Sequence, residues 1–313
     1  MLRGSSGFRP LLRSTANSVS YCAYTLWLFT FNDLKTMVFP STAFAISNGL
    51  AAYQAGSASS HIGGPLVFLI RLPIILLWTW INLLSFAVNN QRHPSALQED
   101  RLNKPWRPMP AGRLTGAQAK SLALVTYPST FLASILLGGG TAQCVLLALF
   151  GYLYNDLKGG DVNWLLRNLL NACGFTCFAS GALEVASHSP IAPGSIPWLL
   201  IIGAVVCTTV HTQDMYDQAG DLAAGRKTAP LVIGDGPARW SIAIMIAAWS
   251  WLSPMYWGSA TVGYFAPVTL GVSVSLRSLV KRTVEEDKTT FRIYNAWLVS
   301  IYVLPLVKSY TAV

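Results

Sequence analysis

The chain has 313 residues, of which 52% are hydrophobic and 11% are charged, with a net charge of +9. Soluble domains contain about 25% charged residues, so this composition excludes an ordinary soluble enzyme and predicts a polytopic membrane protein. The positive charge does not indicate a nucleic-acid partner, because the basic residues lie between long apolar stretches, where membrane topology accounts for them.

The chain is predicted to begin with a basic N-terminal tail, residues 1–19, that contains no acidic residue. A transit peptide has a similar composition, but a cytosolic basic tail is the favoured interpretation. Residues 20–32 are predicted to be an amphipathic or interfacial lead-in. Residues 20–313 are predicted to form one transmembrane domain.

Nine apolar stretches then follow, each near the length of about 20 residues that a helix needs to cross a bilayer. They are residues 34–53, 65–89, 117–137, 142–158, 164–186, 196–213, 239–258, 262–281 and 290–308. The first is the least clear, because Asp33 and Lys35 lie at its start and Pro40 interrupts it. The pattern predicts an all-α polytopic protein with nine transmembrane helices around a central cavity.

Charge in the connections predicts the orientation. If the N-terminus is cytosolic, alternate connections face the opposite side, near residues 54–64, 138–141, 187–195 and 259–261. None of these contains Lys or Arg, as the positive-inside rule requires. We therefore expect an integral membrane protein with its N-terminus and the opening of its active site in the cytosol. The expected membrane is that of the endoplasmic reticulum, although the charge pattern itself does not select one internal membrane.

The first polar stretch, Asn89 to Thr115, follows the second predicted span. Asn90 is a plausible neutral metal ligand from the end of that span. Glu99 and Asp100 are adjacent, so a regular helix cannot turn both toward one ion, and their spacing does not choose between them. This stretch also carries Lys104 and Arg107.

The second polar stretch, Gln213 to Gly236, follows the sixth predicted span. Asp214, Asp217 and Asp221 are spaced by three and four residues, so one helix face would carry all three carboxylates. A solvated acidic helix end is the plainer alternative. Carboxylate and amide oxygens suit Mg²⁺, which binds through a few carboxylates and substrate phosphates.

Basic residues in the two stretches are candidates for binding phosphate. They are Lys104, Arg107, Arg226 and Lys227. Positive-inside anchoring is the alternative for each of them. Tyr154 and Lys158, four residues apart at the end of the fourth span, would share a helix face and contact a phosphate oxygen. From the spacing alone, snorkelling of Lys158 toward the interface is the favoured explanation.

Together these features resemble the UbiA superfamily of intramembrane prenyltransferases. The resemblance rests on the acidic motifs after spans two and six, on Tyr154-x-x-x-Lys158, and on the runs Asn32-Asp33-Leu34-Lys35-Thr36 and Gly225-Arg226-Lys227-Thr228. Aromatic prenyltransferases of this superfamily typically read Asn-Asp-x-x-Asp-x-x-x-Asp in the first motif. Here Asn90-Gln91, Glu99-Asp100 and Asn103-Lys104-Pro105-Trp106-Arg107-Pro108 are similar to the fungal membrane-bound terpene cyclases instead.

The resemblance implies class I ionisation of a prenyl diphosphate with Mg²⁺ as cofactor. The implied metal ligands are Asn90, Glu99, Asp100, Asp214, Asp217 and Asp221. The implied diphosphate-binding residues are Lys104, Arg107, Tyr154, Lys158, Arg226 and Lys227. The implied catalytic residues are Asp100, Lys158, Asp217 and Asp221.

The expected reaction is cyclisation of farnesyl diphosphate to a sesquiterpene, with release of diphosphate. Geranylgeranyl diphosphate is a second possible substrate, and prenyl transfer to an aromatic or quinone acceptor is the alternative reaction. A transporter would place ionisable residues near the bilayer midplane, whereas these acids cluster at one membrane edge. The expected partners are the prenyl diphosphate and membrane lipid, and the sequence does not indicate an oligomeric state.

Overall fold

A computed structural model describes residues 8–56 and 64–311, with the backbone alone for residues 8–18. Within these ranges the chain is helical and contains no β-strand. The helices are α1 Phe8–Thr30, α2 Phe39–Gln54, α3 Leu66–Ile70, α4 Leu72–Gln91, α5 Pro94–Asn103, α6 Gly116–Leu137, α7 Thr141–Asn155, α8 Gly159–Val162, α9 Trp164–Ser187, α10 Ile196–Thr209, α11 Gln218–Ala223, α12 Ala229–Ile233, α13 Asp235–Tyr256, α14 Thr261–Val280, α15 Val284–Tyr302 and α16 Leu304–Thr311.

The nine predicted apolar stretches all correspond to helical segments, but four of them are interrupted. The first begins as a π-helical turn, Leu34–Val38, before α2, and the second is divided at Arg71 between α3 and α4. The sixth ends its α-helix at Thr209 and continues as a 3-10 segment, Val210–Met215. The ninth is divided at Val303 between α15 and α16. Helix α1 continues through residue 19, the predicted end of the tail, whose first seven residues lie outside the described part.

Fewer helices than nine meet a strict test for crossing a membrane. Among the described residues, four segments are long and apolar enough, and a fifth is added if α15 and α16, which meet at a 42° bend, count as one span. The four are Leu72–Gln91, Gly116–Leu137, Trp164–Ser187 and Pro193–Met215. Nine membrane crossings therefore remain a prediction.

The long helices pack side by side in chain order. In this order α4, α6, α7, α9, α10, α13, α14 and α15 each contact the next, and α15 returns to α2, which contacts α4 and α9. The buried apolar core includes Trp78, Phe178, Ile202 and Trp297. This arrangement leaves α9 in contact with α2, α4, α7 and α10, so one face of α9 forms a wall of the interior.

Helix α9 is positioned at its start by a side-chain cap. The Asn163 side-chain oxygen accepts hydrogen bonds from the backbone N–H groups of Leu165, at 2.8 Å, and Leu166, at 3.3 Å. An Asn at this position satisfies N–H groups that have no partner inside the helix. The cap places Arg167 in the first turn of α9, at the end of the bundle where both polar stretches lie.

Candidate active site

The two polar stretches meet in space, as an implied ligand set drawn from both of them requires. Helix α5 packs on α11. The Asn103 side chain donates a hydrogen bond to the Asp217 carbonyl oxygen at 3.1 Å, and Lys104 Nζ lies 3.0 Å from Asp217 Oδ2. A Cβ atom at Gly220 would lie 2.3 Å from Asn103 Nδ2, so a larger residue at position 220 would displace the Asn103 side chain.

Arg226 joins the acidic residues of the two stretches. It forms ion pairs with Glu99 from the first stretch, with Asp221 at 3.3 Å, and with Asp161 at 2.9 Å. Lys104 Nζ lies 3.5 Å from the other oxygen of Glu99. Burial alone would raise the pKa of Glu99, but Lys104 and Arg226 lower it to about 2. Glu99 is therefore ionised at neutral pH.

The two adjacent acids of the first stretch have different positions. Glu99 lines the central cavity, and Asp100, with 0% exposure, does not. Arg107 Nη1 donates to both Asp100 oxygens, at 2.9 and 3.2 Å, and Arg107 Nη2 donates to Asp33 Oδ2 at 3.0 Å. Arg107 lines the cavity. Asp100 lies outside the cavity lining and holds the Arg107 guanidinium in position. Because Arg107 donates to both Asp100 oxygens, the geometry favours Glu99 over Asp100 as the metal ligand, and the expectation that Asp100 binds metal stays a prediction.

The expectation that Asp214, Asp217 and Asp221 share one regular helix face was wrong. Asp214 lies in the 3-10 segment, Asp217 occupies the position just before α11, and Asp221 lies within α11. The three carboxylates nevertheless remain close to the same group of cations. Asp214 Oδ1 accepts a hydrogen bond from Arg167 Nη2 at 3.0 Å, while Asp217 pairs with Lys104 and Asp221 with Arg226.

Two carboxylate oxygens of this motif are buried without a hydrogen-bond partner, Asp214 Oδ2 and Asp221 Oδ2. A buried oxygen of this kind costs free energy unless something binds it. Burial raises the pKa of Asp221 to about 7, although Arg167 opposes the shift. An additional positive charge close to Asp221 would therefore stabilise its ionised carboxylate.

Sequence reasoning missed Arg167. This side chain is 6% exposed and lines the cavity. It donates hydrogen bonds to Asp214, to the Tyr154 hydroxyl and, at 3.1 Å, to the Gly160 carbonyl oxygen. A signal was available, because an arginine inside an apolar predicted span indicates a functional site.

Lys158 and Lys227 do not join the site. Helix α7 ends at Asn155, and Lys158 is exposed with a left-handed backbone, φ +57°. The prediction that it shares a helix face with Tyr154 was therefore wrong. Lys227 is also exposed, and its backbone N–H donates to the Asp161 carbonyl oxygen at 2.8 Å. Of Tyr154, Lys158, Arg226 and Lys227, only Tyr154 and Arg226 line the cavity.

The cavity has a volume of about 160 Å³ and changes character along its length. On α4 the polar lining residue Asn90 is followed further inside by Phe86 and Leu83. On α9 the sequence of lining residues runs from Arg167 to Phe178. The polar end also contains Asp33, Glu99, Lys104, Arg107, Tyr154, Asp217 and Arg226. The site therefore combines a charged mouth with an apolar interior.

The donor set fits Mg²⁺ bound together with a phosphate ligand. Among the described residues, no group of three or more His, Cys, Asp or Glu side chains forms a metal cage by itself, because the acids pair with cations. Mg²⁺ usually binds through one or two carboxylates plus substrate phosphates rather than in such a cage. Glu99 and Asp217, with the amide of Asn90, line the cavity and meet that requirement. Asp214 and Asp221 lie outside the cavity lining, but each has a buried oxygen without a hydrogen-bond partner.

A profile of the UbiA prenyltransferase family matches residues 96–300. Fumagillin beta-trans-bergamotene synthase of Aspergillus fumigatus is 29% identical over 90% of this chain and 91% of that protein. Somaliensene A/B synthase of Streptomyces somaliensis is 28% identical over 87% of this chain and 88% of that protein. A digeranylgeranylglyceryl phosphate synthase of Methanopyrus kandleri is 28% identical over 53% of this chain and 59% of that protein.

Solved structures have the same fold. A UbiA homolog from Aeropyrum pernix K1 superposes with a TM-score of 0.61 over 84% of this chain and 94% of that chain, at 18% identity. A UbiA homolog from Archaeoglobus fulgidus, solved bound to GPP and Mg²⁺, superposes with a TM-score of 0.57 over 87% of this chain and 98% of that chain, at 12% identity. At these identities the likeness concerns the fold alone.

Proposed function

Because the chain belongs to the UbiA prenyltransferase family, as the resemblance of its motifs indicated, we propose that it is a membrane-bound class I terpene cyclase. Its substrate is farnesyl diphosphate, which it ionises and cyclises to a sesquiterpene. The observation that carries this proposal is the meeting of the two polar stretches, through Glu99, Arg226 and Asp221, at the mouth of an apolar cavity. The similarity to a bergamotene synthase over nine-tenths of the chain supports cyclisation.

The diphosphate is bound by the cationic side chains at the polar end. These are Lys104, Arg107, Arg167 and Arg226, together with the Tyr154 hydroxyl. Arginine offers paired N–H donors that match phosphate oxygens. Mg²⁺, when held by Glu99, Asp217, Asp221, Asp214 and Asn90, supplies further positive charge that stabilises the leaving diphosphate.

The apolar interior controls the fate of the carbocation. When the C–O bond breaks, its electron pair leaves with the diphosphate, and an internal alkene of the prenyl chain attacks the cationic carbon. Loss of a proton then gives a neutral cyclic hydrocarbon. The rings of Phe86, Phe150, Phe175 and Phe178 line the chamber. They exclude water, and each ring face can stabilise a desolvated cation by about 2 kcal/mol.

The orientation proposed from the sequence accompanies this function. The protein lies in the endoplasmic reticulum membrane with nine spans, and its charged mouth faces the cytosol, where soluble prenyl diphosphates arrive. The absence of Lys and Arg from the alternate connections supports this orientation. Protease protection of tags at the N-terminus and in the 138–141 connection tests it, because the two tags should show opposite accessibility.

Prenyl transfer to an aromatic or quinone acceptor is the second candidate. A groove of about 660 Å³ adjoins the cavity and shares Lys104, Tyr216, Asp217 and Phe291 with it. The groove offers space for an acceptor beside the cavity mouth. The relative that is a digeranylgeranylglyceryl phosphate synthase also supports a transferase.

The deciding experiment omits every acceptor. Protein purified in detergent is incubated with farnesyl diphosphate and Mg²⁺, while released diphosphate and volatile hydrocarbons are measured together. A cyclase releases both products in equal amounts. Release of diphosphate only after an aromatic or quinone acceptor is added would establish the transferase instead, and no release from any prenyl diphosphate would reject both reactions.

A further inference from the structure

Gly174 has no structural reason to be glycine. It lies inside α9, where glycine is less favourable than alanine. Its backbone is not left-handed, and a Cβ atom there would meet no atom within 4 Å. By contrast, a Cβ at Gly181 on the same helix would lie 2.2 Å from the Trp78 ring. Gly174 instead borders the central cavity, so the space beside it is part of the chamber.

The lining residues of α9 form a single stripe that runs away from the charged mouth. Arg167, Asn171, Gly174 and Phe178 are spaced by four, three and four residues, which places them on one helix face. With a rise of 1.5 Å per residue, Gly174 lies about 10 Å and Phe178 about 16 Å beyond Arg167 along the axis. Gly174 therefore widens the chamber well inside the bundle.

The stripe ends at Phe178, whose ring is held in a fixed position. Its side chain is 3% exposed, and its ring packs against Trp78 with centroids 6.4 Å apart at 72°. Trp78 is fully buried and its ring N–H donates to Ser134 Oγ at 2.9 Å. A ring held in this way cannot move aside to admit a longer ligand without breaking those contacts.

From this geometry we propose that Gly174 and Phe178 determine the length of prenyl chain that the chamber accepts. The proposal rests on the proposed function, because it takes the diphosphate to lie at Arg167 and the chain to extend along α9. The distal isoprene units pass the space beside Gly174 and stop at the Phe178 ring. A side chain at position 174 shortens the chamber, and a smaller one at position 178 lengthens it.

The test compares Gly174→Leu and Gly174→Ala with Gly236→Leu. Gly236 is a matched control, because it lies in helix α13, a Cβ there would also meet nothing within 4 Å, and it does not border the cavity. Diphosphate release gives kcat/KM for geranyl, farnesyl and geranylgeranyl diphosphates. A single lost hydrophobic contact changes such discrimination by about 10- to 200-fold.

We expect Gly174→Leu to lower the farnesyl-to-geranyl ratio of kcat/KM at least ~10-fold, and Gly174→Ala to lower it less. Gly236→Leu should leave the ratio unchanged. Phe178→Leu should raise the geranylgeranyl-to-farnesyl ratio. The alanine variant adds only a methyl group in open space, so it keeps the test valid if the leucine variant does not fold.

Binding measurements separate failure of this inference from failure of the proposed function. The probes are the thiodiphosphate analogues of the three substrates, which bind but ionise poorly. If wild-type protein neither binds these probes nor releases diphosphate, the proposed function is rejected and the inference with it. If wild-type protein does both, and the variants change the three substrates equally, chain-length control by Gly174 and Phe178 is rejected while the function stands.

Discussion

Replacing Glu99 and Asp100 one at a time distinguishes a residue that takes part in the reaction from a residue that positions another side chain. Glu99 lines the cavity, and Asp100 is buried behind it against Arg107. Glu99→Gln and Asp100→Asn remove one negative charge each and keep nearly the same shape. Any difference between the two variants therefore reports position rather than chemical type.

The expected magnitudes follow from the contacts. Asp100 accepts two hydrogen bonds from Arg107, and hydrogen bonds to charged groups contribute about 1.5–3 kcal/mol. Asp100→Asn should therefore lower the free energy of unfolding by about 2 kcal/mol, and should raise KM more than it lowers kcat, because Arg107 loses part of its support but keeps Asp33. Glu99→Gln should lower kcat about 100-fold, the usual cost of one group that stabilises developing charge.

The Mg²⁺ dependence is the decisive measurement. Glu99→Gln should raise the Mg²⁺ concentration for half-maximal diphosphate release at least ~10-fold, whereas Asp100→Asn should leave it nearly unchanged. Thermal unfolding of both variants in detergent provides the stability comparison. An Asp100→Asn variant with the larger increase in Mg²⁺ requirement would refute the assignment of Glu99 to the cavity chemistry.

Three further predictions concern the cations and the metal. Lys158→Ala and Lys227→Ala should keep kcat/KM within about twofold of wild type, because both side chains are exposed and neither lines the cavity. Arg226→Ala should lose at least ~100-fold in the same diphosphate-release assay. Arg167→Lys should lower kcat about 100-fold and should change KM by no more than that factor, because a lysine cannot reproduce the fork that contacts both Asp214 and Tyr154. Wild-type kcat in this variant would contradict that role. Chelation of divalent metal should abolish diphosphate release, and added Mg²⁺ should restore it; turnover that persists in excess chelator would remove Mg²⁺ from the proposal.

The first polar stretch marks the limit of inference from spacing. Because Glu99 and Asp100 are adjacent, periodicity states only that they face different directions. Which one faces the cavity depends on how α5 packs against α11, where the small size of Gly220 leaves room for the Asn103 side chain. No local pattern in residues 89–115 contains that information.

The predicted helix faces of Lys158 and of the three aspartates in the second polar stretch were wrong for a related reason. Spacings of three and four residues define a common face only while the helix continues. The chain leaves the α-helix at Asn155 before Lys158, and it tightens into a 3-10 segment at Val210–Met215. Arg167 was overlooked because it is a single charged residue within a long apolar stretch, and the whole stretch was interpreted as a membrane span.

The amino-acid sequence alone determined the helical class, the apolar stretches and the two polar stretches with their acids and bases, because hydrophobicity and charge are properties of the residues themselves. The meeting of Glu99, Arg226 and Asp221, the recruitment of Arg167, and the open space at Gly174 exist only in the folded chain. These features join side chains that are up to 127 residues apart, as Glu99 and Arg226 are, and such proximity is created by helix packing rather than by spacing along the chain.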